Sequence, residues 1–161
     1  TLNDEESLAA LEQLTSLDLT ATLHDAAPLA GLTKLQSLLI GNNTIANLSA
    51  LGSLVNLKTL NIGLTGASNI GFVSNFTKLT EFYAVTNDIV DVGPLGGLTQ
   101  LNMVNLQNNK VVNLKPLADN PGIGTGDTVS LRFNSSLDCS AQAANIKAMT
   151  DRGATVDDDC P

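Results

Sequence analysis

Leu35-Gln36-Ser37-Leu38-Leu39-Ile40-Gly41-Asn42-Asn43-Thr44-Ile45 is the stretch on which the fold turns, because each of its apolar positions returns at a fixed distance along the chain. Leu35 is followed by Leu57, Leu79 and Leu101, each 22 residues on. Every anchor carries a second and third apolar residue at fixed offsets: Leu38 and Ile40, Leu60 and Ile62, Phe82 and Ala84, Val104 and Leu106. Eight positions beyond the anchors stand Asn43, Thr65, Asn87 and Asn109. After these the apolar residues come every third position, as in Ile45, Leu48, Leu51, Leu54 and Leu57, or Ile89, Val92, Leu95, Leu98 and Leu101. An earlier copy, one residue short, runs through Leu14, Leu17, Leu19 and Thr22. A last copy, displaced by an insertion of about three residues at Gly122-Ile123-Gly124-Thr125-Gly126, runs through Val129, Leu131 and Asn134. Self-similarity at such a period marks a coil of stacked turns, and six strands are predicted.

The physics of one turn follows from its pattern. Apolar, polar, apolar over three positions, as in Leu17-Asp18-Leu19 or Leu60-Asn61-Ile62, places alternate side chains on opposite faces of a short strand. Apolar residues at every third position fit neither the helical nor the strand period but suit an extended or 3₁₀-like segment on the outer side. An Asn where the chain leaves the strand offers two donors and an acceptor to backbone groups that would otherwise be buried unpaired, so Asn43, Asn87, Asn109 and Asn134 are read as a ladder. With about seven buried aliphatics per turn at roughly 1.5 to 3 kcal/mol each, turn stacks on turn and a single one is unstable alone. Thr22 and Thr65 replace the ladder Asn, and the leucine-poor stretch from Thr65 to Phe76 is expected to be locally irregular.

Composition limits the function. A chain of 161 residues with 43% hydrophobic content suits one domain over residues 1–161. The net charge of -8 opposes a nucleic-acid partner, which demands clustered Lys and Arg. No apolar run approaches the roughly 18 to 20 residues of a membrane span, so no membrane insertion is expected. The opening Thr1-Leu2-Asn3-Asp4 lacks a basic and then apolar leader, and the chain reads as a mature or excised piece. Aromatic content of 3% without Trp fits a core of stacked aliphatics rather than irregularly packed rings.

The repeat Leu35-x-x-Leu38-x-Ile40-x-x-Asn43-x-Ile45 resembles the signature of the leucine-rich repeat proteins, within them the 22-residue class of bacterial internalins. The resemblance covers nearly the whole chain. It implies an α/β leucine-rich repeat solenoid, a right-handed coil with short parallel strands on its concave face, 3₁₀ or extended segments on its convex face, and helical caps. The expected layout is a helical flank over 1–13, about six turns over 14–134 and a C-terminal cap over 135–161. Asp4, Glu5 and Glu6 before Leu8, Leu11 and Leu14 read as a short helical start with acid near the positive dipole end. Asn134 to Cys139, a helix from Ala141 to Arg152, and Gly153 to Val156 with Cys160 look like the caps of secreted members, with Ser140 as N-cap and Gly153 as stop. Cys139 and Cys160 bracket this cap, and a disulfide between them is expected, worth about 3 kcal/mol by chain entropy. A zinc pair or redox pair is the competing role, but His24 is the only His and lies far off, and no Cys-x-x-Cys occurs. The disulfide places the chain outside the cytoplasm, extracellular, at the cell surface or in the periplasm.

Other features weigh less. The glycines around Ile123 lack the spacing of a dinucleotide fingerprint and the Lys of a phosphate loop. Sequons at Asn42, Asn47, Asn75 and Asn134 read as chance in an Asn-rich repeat. Asp157-Asp158-Asp159 reads as a solvated acidic tail rather than a Ca²⁺ site. His24 aligns with Ile45 one turn on and is expected to be a partly buried packing residue. No nucleophile, base and orienter converge, so neither an enzyme nor a cofactor is expected.

Function is therefore sought on the strand face. Its middle column is Asp18, Leu39, Asn61, Tyr83, Asn105 and Ser130, flanked by Ser16, Ser37, Thr59, Glu81, Met103 and Thr128 and by Thr20, Gly41, Gly63, Val85, Gln107 and Arg132. Leu39, Tyr83, Val85 and Met103 are apolar at positions that face water, and such a patch marks a partner site, with Tyr and Arg favoured at its centre. Leu39, Asn61, Glu81, Tyr83, Val85, Met103, Asn105, Gln107 and Arg132 are the expected contact set for a protein partner, the chain itself being monomeric. Six strands about 4.8 Å apart span about 24 Å and offer about 300 Å², against roughly 800 Å² per partner in a standard interface. The edge residues Asn42, Leu64, Thr86, Asn108 and Phe133 are expected to contribute. The alternatives are a glycan binder using Asn61, Tyr83, Asn105 and Gln107, and a structural spacer of a larger surface protein.

Overall fold

The computed structural model describes residues 5–160; Asp4, named above as part of the helical start, lies outside them. The strands are β1 (Ser16–Asp18), β2 (Ser37–Leu39), β3 (Thr59–Asn61), β4 (Glu81–Tyr83), β5 (Met103–Asn105), β6 (Thr128–Ser130) and β7 (Thr155–Asp157). They form one parallel sheet in sequence order. The register matches the repeat: Leu17, Leu38, Leu60, Phe82, Val104, Val129 and Val156 are cross-strand neighbours throughout. The step from Met103 to Thr128 is 25 residues, which places the three-residue insertion where the sequence put it. The coil is thus a leucine-rich repeat solenoid. The expected six strands become seven, because the cap itself adds β7. Its one inward residue, Val156, is too little to show as a repeat.

Opposite the strands the chain makes short 3₁₀ turns at Ala27–Leu29, Leu48–Ser53, Gly71–Asn75 and Gly93–Leu95, and helix α1 (Lys115–Asp119) in the last turn. Three residues per 3₁₀ turn put Leu51, Leu54 and Leu57 on one line facing the core, and all three are fully buried. Pro28, Pro94 and Pro116 sit at the start of these segments, where a missing N–H costs nothing. The turn from Thr65 to Phe76 is regular, contrary to expectation. Ala67, Ile70, Val73 and Phe76 take the apolar places and are buried, so volume is supplied by Phe and Val instead of Leu.

A second polar column was not anticipated. Asp25, Asn69, Asp91 and Asn113 each accept the backbone N–H two residues on, from Ala27, Gly71, Gly93 and Lys115. Asp138 continues the column across the insertion and accepts from Ser140 and Ala141. Asp138, not Ser140, therefore caps helix α2 (Cys139–Asp151). Asn69, Asp91 and Asn113 each stand 12 residues after an anchor leucine, Leu57, Leu79 and Leu101, so the same 22-residue comparison applied to polar residues finds them.

The ends are closed by side chains imitating a missing turn. Leu8 is the buried residue of the 3₁₀ segment Glu5–Ala10. The Glu5 carboxylate accepts the N–H groups of His24 at 2.8 Å and Asp25 at 3.2 Å. His24 is correspondingly exposed and paired through Nδ1 with Glu5 at 3.0 Å, not packed against the core. At the far end Cys139 and Cys160 form the disulfide, with Cα atoms 5.3 Å apart. Gly153 ends α2 with φ +92°. Gly122 lies so close to the backbone of Thr99 that any Cβ would overlap it at 2.1 Å, and the adjacent Asn120, fully buried, donates to Leu95 and Leu98 carbonyls.

Candidate recognition face

The sheet register brings Leu39, Asn61, Tyr83 and Asn105 side by side in one column, with Glu81 and Met103 neighbours in the column before it. All six are half-buried, as side chains standing on a sheet and shielding one another must be. The Tyr83 hydroxyl donates to Glu81 Oε2 at 3.2 Å. Burial first, and then the Glu81 charge beside it, hold the Tyr83 phenol above its ordinary range, so it is a neutral donor at neutral pH. Asn61 and Asn105 use Oδ1 to accept the N–H of Gly63 at 2.9 Å and Gln107 at 3.2 Å. Those amides are thereby oriented by their own strand ends. Ser130, expected at the surface of the same column, is buried where β7 pairs with β6.

Arg132 is bound up with the cap. Its guanidinium approaches Asp157 at 3.7 Å and Asp159 at 3.2 Å and lies 6.0 Å from the Phe133 ring centroid. Asp159 also accepts the Phe133 N–H at 2.5 Å, and that hydrogen bond chiefly holds its carboxyl below the usual carboxylate range. The acidic run is therefore structural rather than a solvated tail. It completes the last turn and neutralises the one cation of the face.

The edge beyond the strands is built from a repeated left-handed corner. Ala21, Asn42, Leu64, Thr86, Asn108 and Phe133, one per turn, have φ between 55° and 61°. That conformation is costly for Leu, Thr and Phe. Each corner is held because its N–H donates to the neighbouring turn: Asn42 to Gly63, Leu64 to Val85, Thr86 to Gln107 and Asn108 to Arg132. At Phe133 the Asp159 carboxylate takes the place of the neighbouring turn's carbonyl. Leu64 and Phe133 stand out into solvent at 53% and 64% exposure. The sequence located these positions but carried no sign of their backbone, since no Gly marks them.

A structure of internalin C2 from Listeria monocytogenes is 35% identical, with a TM-score of 0.71, over 84% of this chain and 54% of its own. This chain is an internalin-like leucine-rich repeat protein. A second Listeria monocytogenes internalin, internalin F, aligns over 94% of the leucine-rich repeat chain and 48% of its own at 24% identity and TM-score 0.74. The chain thus spans about half the length of the internalins it matches. The fold alone is shared with the PEPR1-AtPEP1 structure, at 16% identity and TM-score 0.72 over 95% of this chain and 26% of that one. No protein-family model matches the leucine-rich repeat chain, and no curated protein does. Among the described residues no helix of this internalin-like chain is long and apolar enough to cross a membrane, and its disulfide suits an oxidising compartment.

Proposed function

We propose that this internalin-like chain is a protein-recognition module of a bacterium, acting outside the cytoplasm, at the cell surface or in the periplasm. It binds through the strand face and the left-handed edge beside it. The observation that carries this reading is the run of Leu39, Tyr83, Val85 and Met103 on the face, continued at the edge by the exposed Leu64 and Phe133. Rigid apolar and aromatic groups beside oriented amides are what a protein hot spot requires. Tyr83 with Glu81, Asn61, Asn105 and Gln107 supplies polar specificity around Leu39 and Met103, while Arg132 contributes stacking with Phe133 more than free charge. The residues at the left-handed corners widen the contact area beyond the roughly 300 Å² of the strands alone toward the roughly 800 Å² of a standard interface. The amides of Asn61 and Asn105 each have their oxygen occupied by backbone, which favours a protein over a glycan needing both amide atoms.

The test is a pull-down from host and bacterial extracts with immobilised wild-type protein beside a Leu39→Ala/Tyr83→Ala/Met103→Ala variant of unchanged circular dichroism. Selective loss of a captured protein from the variant is expected. Equal capture by both would remove the face from the reading, and no capture by the wild type would favour a spacer.

A further inference from the structure

The basic residues of this acidic chain are unevenly employed. Lys110 pairs with Asp88, Lys115 with Asp119, Lys147 with Asp151, and Arg132 with Asp157 and Asp159. Arg152 donates to the carbonyls of Ile123 and Asn120. The remaining three, Lys34, Lys58 and Lys78, reach no carboxylate among the described residues. They also lie together. With Thr15, Gln36 and Asn56 they line one shallow concavity where the chain enters the strands, on the edge opposite the left-handed corners.

The arrangement is set by the repeat. Lys34, Asn56 and Lys78 hold one position in three successive turns, Lys34 and Lys78 being about 10 Å apart by strand spacing. Asn56 joins the turns, donating to the Thr33 carbonyl at 2.8 Å and accepting from Lys78 Nζ at 2.7 Å. Lys34 donates to Gln13 Oε1. Both ammonium groups are therefore directed by neutral amides, which orient them without cancelling their charge. Lys58 stands beside them in the column of Gln36, whose carbonyl accepts its N–H at 2.7 Å.

We infer that this edge is the docking surface for a short carboxylate-rich segment of the protein partner. The inference rests on the recognition reading above and names the chemistry of one part of that partner. Charge complementarity is the argument. On a chain of net charge -8 the lysine edge is where three cations unmatched by any carboxylate among the described residues lie together, so an acidic segment is drawn there, fixing its orientation on the adjoining strand face. A long polyanion fits less well. The patch extends only about two turn spacings, and a sulfated glycan or nucleic acid continuing past it would run along an acidic molecule. Nor does the edge hold an aromatic ring against which a sugar could stack.

The probe is a fluorescein-labelled tetraglutamate peptide, followed by anisotropy at low ionic strength, with a heparin-derived hexasaccharide as competitor. Two variants are compared, Lys34→Gln/Lys58→Gln/Lys78→Gln and Lys110→Gln/Lys115→Gln/Lys147→Gln, which change the net charge equally. The first should weaken binding about tenfold, the scale of three exposed charge contacts at low salt, and the second less than about twofold. Equal weakening by both variants would overturn the inference, as would no binding of the peptide by the wild type. Tighter binding of the hexasaccharide than of the peptide would overturn it in favour of a glycan. The tetraglutamate peptide has no apolar group for the strand face, so its anisotropy reads the lysine edge while the pull-down reads the face, and a failed strand face and a failed lysine edge are told apart.

Discussion

Asn87 serves four backbone groups of two successive turns with one amide. Its Oδ1 accepts from the N–H groups of Thr65 and Ala67, and its Nδ2 donates to the carbonyls of Ile62 and Ala84. Removing it leaves those groups buried with nothing to bond. Asn87→Ala is expected to cost about 2 to 3 kcal/mol, read as a lowered urea midpoint, whereas Asn56→Ala at the exposed edge should move the midpoint little. Thr65 is the converse case. Its hydroxyl reaches only the Ile62 carbonyl and Asn87 Oδ1, while Asn43 one turn earlier donates to three carbonyls and accepts from Leu23. Thr65→Asn should therefore raise the midpoint, by about 1 kcal/mol. A lowered midpoint would mean that the turn around Thr65 has repacked around the smaller residue.

Among the elements, the strands and ladder were legible in the sequence because each repeats, so every turn testifies to the others. The elements that were misjudged occur once. β7 offers a single inward valine, Glu5 reaches His24 across the first turn, and Asp159 replaces a backbone carbonyl at the last corner. Nothing periodic announces such substitutions, and a run of three aspartates looks like a solvated tail until the corner that it completes is known. The site was legible only as columns of residues. Pairing of Tyr83 with Glu81 and engagement of Arg132 by the cap depend on side-chain reach, which spacing does not encode. The C-terminal cap also shows how a covalent link acts on an element. The disulfide joins the first residue of α2 to the end of the chain segment leaving β7, across a separation of 21 residues. Cys139→Ser/Cys160→Ser should lower stability by about 3 kcal/mol. The loss should appear as faster amide exchange in α2 and β7, and uniform acceleration through β2 to β5 would show instead that the cap is not a separate element.

At the scale of the whole molecule, each turn touches only its neighbours, and stability is graded along the axis. Leu38, Leu60 and Phe82 are fully buried, whereas Leu17 in β1 is half-buried and Leu11 is 45% exposed. The central strands should therefore be the last to exchange their amides and the first turn the earliest, a gradient measurable by hydrogen exchange; flat protection would mean that the coil opens only as one unit. The open sheet has a further consequence. Its two outermost strands among the described residues are β1 and β7, and an outer strand is a template for addition of further copies, head to tail. Asp18 and Asp157 occupy the same column at the two ends. A copy continuing the register would set Asp157 of one molecule against Asp18 of the next, like charge directly on like charge. The ends that most resemble one another are thus the ones that repel, and the coil carries its own stop signal against becoming a fibre.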